Sequence, residues 1–228
     1  MDDPASADNP SGELRRRPIR ARDTQWAHRT AAALTRAGVQ PNHISVLSVV
    51  CAATGAAALF GSATLDSVPL RVVLLLLAAG GIQARLLCNL FDGLVAVEGG
   101  RRTPNGEIYN ELPDRVSDIL LLAAAGYACR GTGWERELGW AAAAVAVFVA
   151  YVRALGGQLR TAQQFGGPMA KQQRMFVLTV ACGTTAAETL LRWPLRTMGW
   201  ALALILAGSV VTAIRRTGRV AAELNRRG

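Results

Sequence analysis

"NLFDGLVAVEGGRRTPNGEIYNELPDRVSD", residues 89–118, decides how this chain folds. Acids, amides and glycines crowd here between two runs that are otherwise almost uncharged. On insertion scales a carboxylate at the centre of a bilayer costs about 2.5–3.5 kcal/mol, so such residues inside apolar helices mark a site more often than a packing surface.

Working outward, nearly uncharged runs recur at 44–60, 68–84, 119–128, 138–152, 175–187 and 198–214. A spanning helix takes roughly 17–25 residues. The runs 119–128 and 175–187 reach that length only with the polar residues at their ends. Six such runs in 228 residues predict an all-α integral membrane fold with six transmembrane helices, rather than a large soluble helical core. Residues 1–22 are polar, first acidic and then Arg-rich, and read as a disordered tail rather than a cleaved signal peptide. The membrane domain is then 23–216, and 217–228 reads as a second basic tail.

Arginines gather before the first span (Arg15, Arg16, Arg17, Arg20, Arg22, Arg29, Arg36) and after the last (Arg215, Arg216, Arg219, Arg226, Arg227). The second loop adds Arg101 and Arg102, and the fourth adds Arg160, Lys171 and Arg174. The positive-inside rule then puts both termini in the cytoplasm, with the polar 89–118 segment on the same side of the cell membrane. The net charge of +9 therefore suits anionic lipid headgroups. Nothing in the sequence has the form of a nucleic-acid module, so no nucleic-acid partner is expected. Cys51, Cys88, Cys129 and Cys182 fall in or beside spans, at spacings that suit neither zinc nor a disulfide framework, and read as packing residues.

Ahead of the first span, residues 24–37 place Trp26, Ala33, Leu34 and Ala37 along one side, as an amphipathic interfacial helix would. Gly38 ends it, and "QPNHIS" opens the first span with Asn42 or His43 near its N-cap. His43 reads as a wetted cap, with a ligand role as the alternative. Small-residue stretches such as "AAATGAAALFG" and "WAAAAVAV" permit close helix packing and a homodimer.

In the deciding stretch, the second span runs on through Arg85 and Asn89 to about Ala96. Asn89 and Asp92 lie three apart and so share a helix face, with Ala96 a turn further. The third span begins near Glu107, and Asn110, Asp114 and Asp118 recur every four residues on one face, with Glu107 and Glu111 close by. The short link predicts that these two helices are antiparallel neighbours whose polar faces meet. Like charges facing each other repel unless a cation lies between them. Mg²⁺ or Mn²⁺ takes oxygen ligands of this kind and commonly helps to bind substrate phosphates. The alternative is a pair of helix ends in water, with acids favouring the N-terminus of the third span. That accounts for Glu107 and Glu111, but poorly for Asp114 and Asp118, which lie deeper.

A second polar cluster, "YVRALGGQLRTAQQFGGPMAKQQRM", lies between the fourth and fifth spans. Arg153 sits inside a span end, and Lys171 and Arg174 share a helix face. Together they make a candidate phosphate or acceptor clamp. Ordinary positive-inside charge is the alternative, and it suffices for Arg160.

These residues resemble the CDP-alcohol phosphotransferase (CDP-alcohol phosphatidyltransferase) family, whose second and third helices carry D-x₂-D-G-x₂-A-R-x₈-G-x₃-D-x₃-D. Asn89, Asp92, Gly93, Ala96, Val97, Gly106, Asn110 and Asp114 stand at those spacings, with five of the eight identities kept. "PNHIS" is similar to the family's P-N-x-I-[ST] opening of the first helix. The resemblance spans nearly the whole chain. It implies transfer of a phosphatidyl or related group from a CDP-linked donor such as CDP-diacylglycerol to an alcohol acceptor, releasing CMP, in phospholipid synthesis. It implies Asn89, Asp92, Asn110 and Asp114 as ligands of one or two Mg²⁺ or Mn²⁺ ions. Asp114 would also be the catalytic base, and Gly93, Ala96 and Gly106 would give the nucleotide close access. The departures are Asn89, Asn110 and Val97, which replace two aspartates and the arginine. Either one ion is held, or Glu98, Glu107, Glu111 or Asp118 supplies the missing charge, and Arg101 or Arg102 stands in for the arginine. The same amides also allow a relative that binds CDP-lipid without turnover. A small transporter or scaffold is the reading from another class.

Overall fold

The computed structural model describes residues 24–98, 106–130, 133–161 and 166–227. They form seven helices: α1 (Gln25–Arg36), α2 (Pro41–Thr64), α3 (Val68–Glu98), α4 (Gly106–Ala128), α5 (Trp134–Gln158), α6 (Lys171–Leu191) and α7 (Thr197–Leu224). No strand occurs among the described residues. Four helices, α2, α3, α5 and α7, are long and apolar enough to cross a membrane. α4 and α6 are of spanning length but carry the polar residues at their first turns. Large apolar side chains such as Val50, Val73, Leu76, Phe148, Phe176 and Leu204 point outward. A contiguous surface of that kind is tolerated by lipid and not by water.

The helix ends follow from local chemistry. Pro41 occupies the first turn of α2, where its missing N–H costs nothing. The N-cap is Gln40, so Asn42 and His43 lie in the first turn of the helix, near the cap. Gly38, at φ +77, ends α1 in the left-handed conformation that glycine adopts freely. The N-terminal amide of α7 at Thr197 donates to Glu188 Oε1 at 3.0 Å, so a carboxylate of α6 caps α7. α7 continues past the boundary expected at 216, with Arg216 and Val220 both buried.

α2 to α7 run alternately up and down and close into a ring in the order α2, α4, α5, α7, α6, α3. α1 lies against α3. Its packed face is Ala27, Ala31 and Leu34, rotated from the Trp26, Ala33, Leu34, Ala37 line expected from sequence. Alanine lets the helix approach α3 closely, while Trp26 meets Phe91 edge-on at 5.9 Å. Two crossings depend on glycine. A Cβ on Gly81 would lie 2.9 Å from the Cys51 carbonyl oxygen, and one on Gly139 would lie 2.8 Å from that of Leu122. The interior is built from alanines with Leu59, Leu75, Ile82, Leu121, Leu178, Leu202 and Ile205. All four cysteines are free, and Cys88 and Cys182 are buried.

α3 and α4, though consecutive, do not pack backbone to backbone as the short link suggested. α2 packs against both. The Gly55–Gly81 crossing pulls α2 onto α3, and the polar faces of α3 and α4 are left to meet through their side chains.

Candidate functional site

Helix direction brings the ends of α3, α5 and α7 and the starts of α2, α4 and α6 to one end of the ring. The polar residues of the deciding stretch collect there. On α3, Arg85, Asn89 and Asp92 rise along one face at spacings of four and three. On α4, Asn110, Asp114 and Asp118 do the same.

Asp92 is 4 % exposed, and its Oδ2 accepts from Ser45 Oγ of α2 at 2.9 Å. It lies within electrostatic reach of Lys171 and Asp114, so the α3 and α4 faces share one field. Lys171 Nζ, at the first residue of α6, donates to Asp114 Oδ1 at 2.5 Å. Arg85 Nη2 stands 3.6 Å from the same oxygen. Asn89 Nδ2 is buried with no hydrogen-bond partner. Turning that amide by 180° would put Oδ1 in its place at no cost in hydrogen bonds, so an oxygen ligand is available there.

Deeper in, Asp118 is fully buried with both oxygens engaged. Arg85 Nη2 donates to Oδ1 at 2.8 Å and Arg174 Nη2 to Oδ2 at 2.7 Å. Arg85 also reaches the Asp114 carbonyl at 3.1 Å, and Arg174 the Met169 carbonyl at 3.1 Å. Two guanidiniums about one carboxylate carry a net positive charge, which makes the floor beneath Asp114 electropositive. Asp118 thus fixes two arginines, with no free oxygen for an ion.

The remaining expected residues fall as follows. Gly93 and Ala96 lie half-buried on the last turns of α3, and Gly106 opens α4. Asn110 is exposed on the second turn of α4. Glu111 is exposed and pairs with Arg115 at 2.8 Å and with Arg153 of α5. Arg153, Lys171 and Arg174 each pair with a different carboxylate, Glu111, Asp114 and Asp118. Pro113, inside α4, removes the hydrogen bond its N–H would make to the Tyr109 carbonyl, next to Asp114. The side chains of Glu98 and Glu107, together with Arg101 and Arg102, lie outside the described residues.

Two site residues were not singled out from the sequence. Arg85 interrupts an apolar run four residues before Asn89, and a buried charge at helical spacing from the acids was its signal. Ser45 was written in the helix opening, as the last residue of "PNHIS".

The four residues expected as ligands carry only amide and carboxylate oxygens as donors, the chemistry a hard divalent cation takes. Among the described residues no three Asp, Glu, His or Cys side chains gather in a metal-holding group. Asp118 is bound to arginines and Asp114 to Lys171, whereas Asp92 makes no ion pair among the described residues.

The sequence matches no family model and no curated protein. Its fold is matched by crystal structures of the phosphatidylinositol phosphate synthase of Mycobacterium tuberculosis. The form with CDP-DAG bound superposes with a TM-score of 0.68 at 19% identity, covering 86% of this chain and 94% of that one. The form in complex with manganese and citrate gives 0.68 and 19%, over 85% and 88%. The apo form gives 0.63 and 20%, over 84% and 94%. This chain therefore has the fold of that membrane synthase over most of both lengths.

Proposed function

We propose that this protein is a CDP-alcohol phosphatidyltransferase. It would move a phosphatidyl or related group from a CDP-linked donor, CDP-diacylglycerol by preference, to an alcohol, with release of CMP. One observation carries the reading. Asn89 and Asp92 on α3, and Asp114 on α4, stand at the family's motif spacing, and Arg85 of α3 stands 3.6 Å from the Asp114 carboxylate. The shared fold with a synthase crystallised with CDP-DAG and with manganese supports the same reading.

In this mechanism Asp114 accepts the proton of the acceptor hydroxyl. The hydroxyl oxygen bonds to the phosphorus that carries the lipid, and the bond from that phosphorus to the CMP oxygen breaks. Lys171 orients the Asp114 carboxylate. Arg85 and Arg174, fixed by Asp118, supply positive potential beneath the phosphates. Gly93 and Ala96 leave room for the nucleotide against α3. Asn89, Asp92, Asn110 and Asp114 would hold one Mg²⁺ or Mn²⁺, which when bound neutralises the pyrophosphate charge and eases departure of CMP.

In this reading α2 to α7 all cross the cell membrane, six spans in all, with both termini and the site on the cytoplasmic side. The amides at 89 and 110 favour one second reading, a relative that binds CDP-lipid without turning it over. Both readings face the same test, CMP release by purified protein given CDP-diacylglycerol, Mg²⁺ or Mn²⁺ and a panel of alcohols. Acceptor-dependent release that disappears in Asp114→Asn supports the transferase. Metal-dependent CDP-lipid binding without release from any acceptor supports the second reading. Neither binding nor release would overturn both.

A further inference from the structure

The opposite end of the ring holds a second polar chamber, far from the site above. It is a cavity of about 490 Å³ between the links α2–α3, α4–α5 and α6–α7. Arg71 of α3 forms its inner wall and is 7 % exposed. Its guanidinium donates to the Thr189 hydroxyl at 3.2 Å, the Ser62 carbonyl at 3.2 Å and the Ala128 carbonyl at 3.3 Å. The last two lie at the C-terminal ends of α2 and α4, where a cation complements the helix dipole. Among the described residues no carboxylate pairs with it.

The charge around Arg71 is unbalanced. Arg130, Arg192 and Arg196 also line the cavity, against Glu135 and Glu188. Arg130 also stands 3.6 Å from Asp66, so four guanidiniums face three carboxylates and the residual charge is +1. The acids are engaged elsewhere, since Glu188 caps Thr197 and Glu135 Oε2 accepts from the Gly133 amide at 3.1 Å. The side chains of Arg192 and Arg196 make no ion pair or hydrogen bond among the described residues. Thr185 is 5 % exposed and lines the cavity, and its hydroxyl has no partner. Buried hydroxyls are ordinarily satisfied, so an orphan facing a chamber of excess positive charge points to a missing acceptor.

The backbone adds an independent sign. Arg192 and Arg196 both adopt φ +54, a left-handed conformation that arginine rarely takes. They bracket the α6–α7 link "WPL", and both line the cavity. Strained residues of this kind cluster at ligand sites.

We propose that this chamber binds a phosphate-bearing anion, with Arg71 and Thr185 as its inner donors and Arg130, Arg192 and Arg196 as its rim. A residual charge of +1 matches a phosphodiester and offsets part of the charge of a phosphate monoester dianion. The group is supplied either by a phospholipid headgroup of the adjoining leaflet or by a free phosphate. Basic pockets between membrane helices take lipid headgroups in this way.

The test uses the full chain and native mass spectrometry. Phosphatidic acid in nanodiscs, with phosphatidylcholine as the neutral comparison, is one arm, and inorganic phosphate in detergent is the other. The variants are Arg192→Asn with Arg196→Asn, because asparagine tolerates the left-handed backbone well, and separately Thr185→Val. The expected result is one retained phosphate-bearing ligand, weakened about tenfold or more in the arginine pair and less in Thr185→Val, as for lost charge-assisted and neutral hydrogen bonds. Asp114→Asn should leave it unchanged. Loss confined to phosphatidic acid assigns the headgroup, and loss extending to inorganic phosphate assigns the free anion. Equal binding of both probes by wild type and the arginine pair overturns the proposal, as does absence of binding in wild type.

Discussion

Lys171 Nζ stands 2.5 Å from Asp114 Oδ1, joining the first residue of α6 to the third turn of α4. The ammonium places a positive charge beside the carboxylate proposed as the base. Its consequence is measurable. Asp114→Asn should lower CMP release by about 10²–10⁴-fold, the usual contribution of a positioned base. Lys171→Met should lower it by about 10–100-fold, as expected for a lost charge-assisted hydrogen bond of ~1.5–3 kcal/mol. Steady-state CMP release with saturating donor separates the two, and a Lys171→Met enzyme with wild-type turnover would refute the role given to the ammonium.

Ser45 acts on Asp92 from outside the proposed cation site. Its hydroxyl holds Oδ2 at 2.9 Å and so fixes the direction of the other oxygen. Partners of metal ligands typically contribute 10–100-fold to metal affinity or activity. Ser45→Ala should therefore raise the Mg²⁺ or Mn²⁺ concentration for half-maximal activity by about tenfold, with recovery at high metal. Asp92→Asn should not recover. Metal titrations of the two variants side by side read this difference, and a Ser45→Ala curve that overlays wild type removes the serine from the site.

The Arg85–Asp118–Arg174 group is a structural liability if broken. Removing one member of a buried pair strands the other, at about 3–5 kcal/mol. Asp118→Asn leaves two buried guanidiniums with a neutral partner and should lower the unfolding temperature in detergent by about 10 °C. Asp92→Asn, which strands no arginine, should shift it much less. Thermal unfolding of both proteins compares the two positions, and equal temperatures would show that Asp118 is replaceable.

Much of this arrangement was written in the sequence. The apolar runs located α2 to α7, and the periods of three and four placed Asn89, Asp92, Asn110, Asp114 and Asp118 on the faces where they are found. The order of the ring was not legible, because Gly55 and Gly81 carry no hydrophobic signal and still decide that α2 packs on α3. Nor was the packed face of α1, where Ala27 and Ala31 were too small to register against Trp26. The partners of Arg153, Lys171 and Arg174 were hidden for another reason. A basic residue at a helix end reads the same whether it awaits a phosphate or already holds Glu111, Asp114 or Asp118. The far chamber has no periodic signature, since its donors come from separate helix ends and from two left-handed arginines.

The amides themselves give the sharpest test of the cation count. Asn89 makes no hydrogen bond through Nδ2, and Asn110 is exposed, so neither is needed to satisfy a protein partner. Changing both to aspartate should therefore leave the fold intact and add two negative charges beside Asp92 and Asp114. Repulsion between those charges is relieved by cations, and four carboxylates balance two divalent ions. The double variant Asn89→Asp, Asn110→Asp should bind a second Mn²⁺, raising the stoichiometry from one to two by calorimetry or electron paramagnetic resonance. Its activity should depend more steeply on metal concentration. If Lys171 instead competes with the incoming ion for Asp114, the second site appears only when Lys171→Met is added. A wild-type protein that already binds two ions would refute the single-ion reading, because two carboxylates and two neutral amides would then have sufficed.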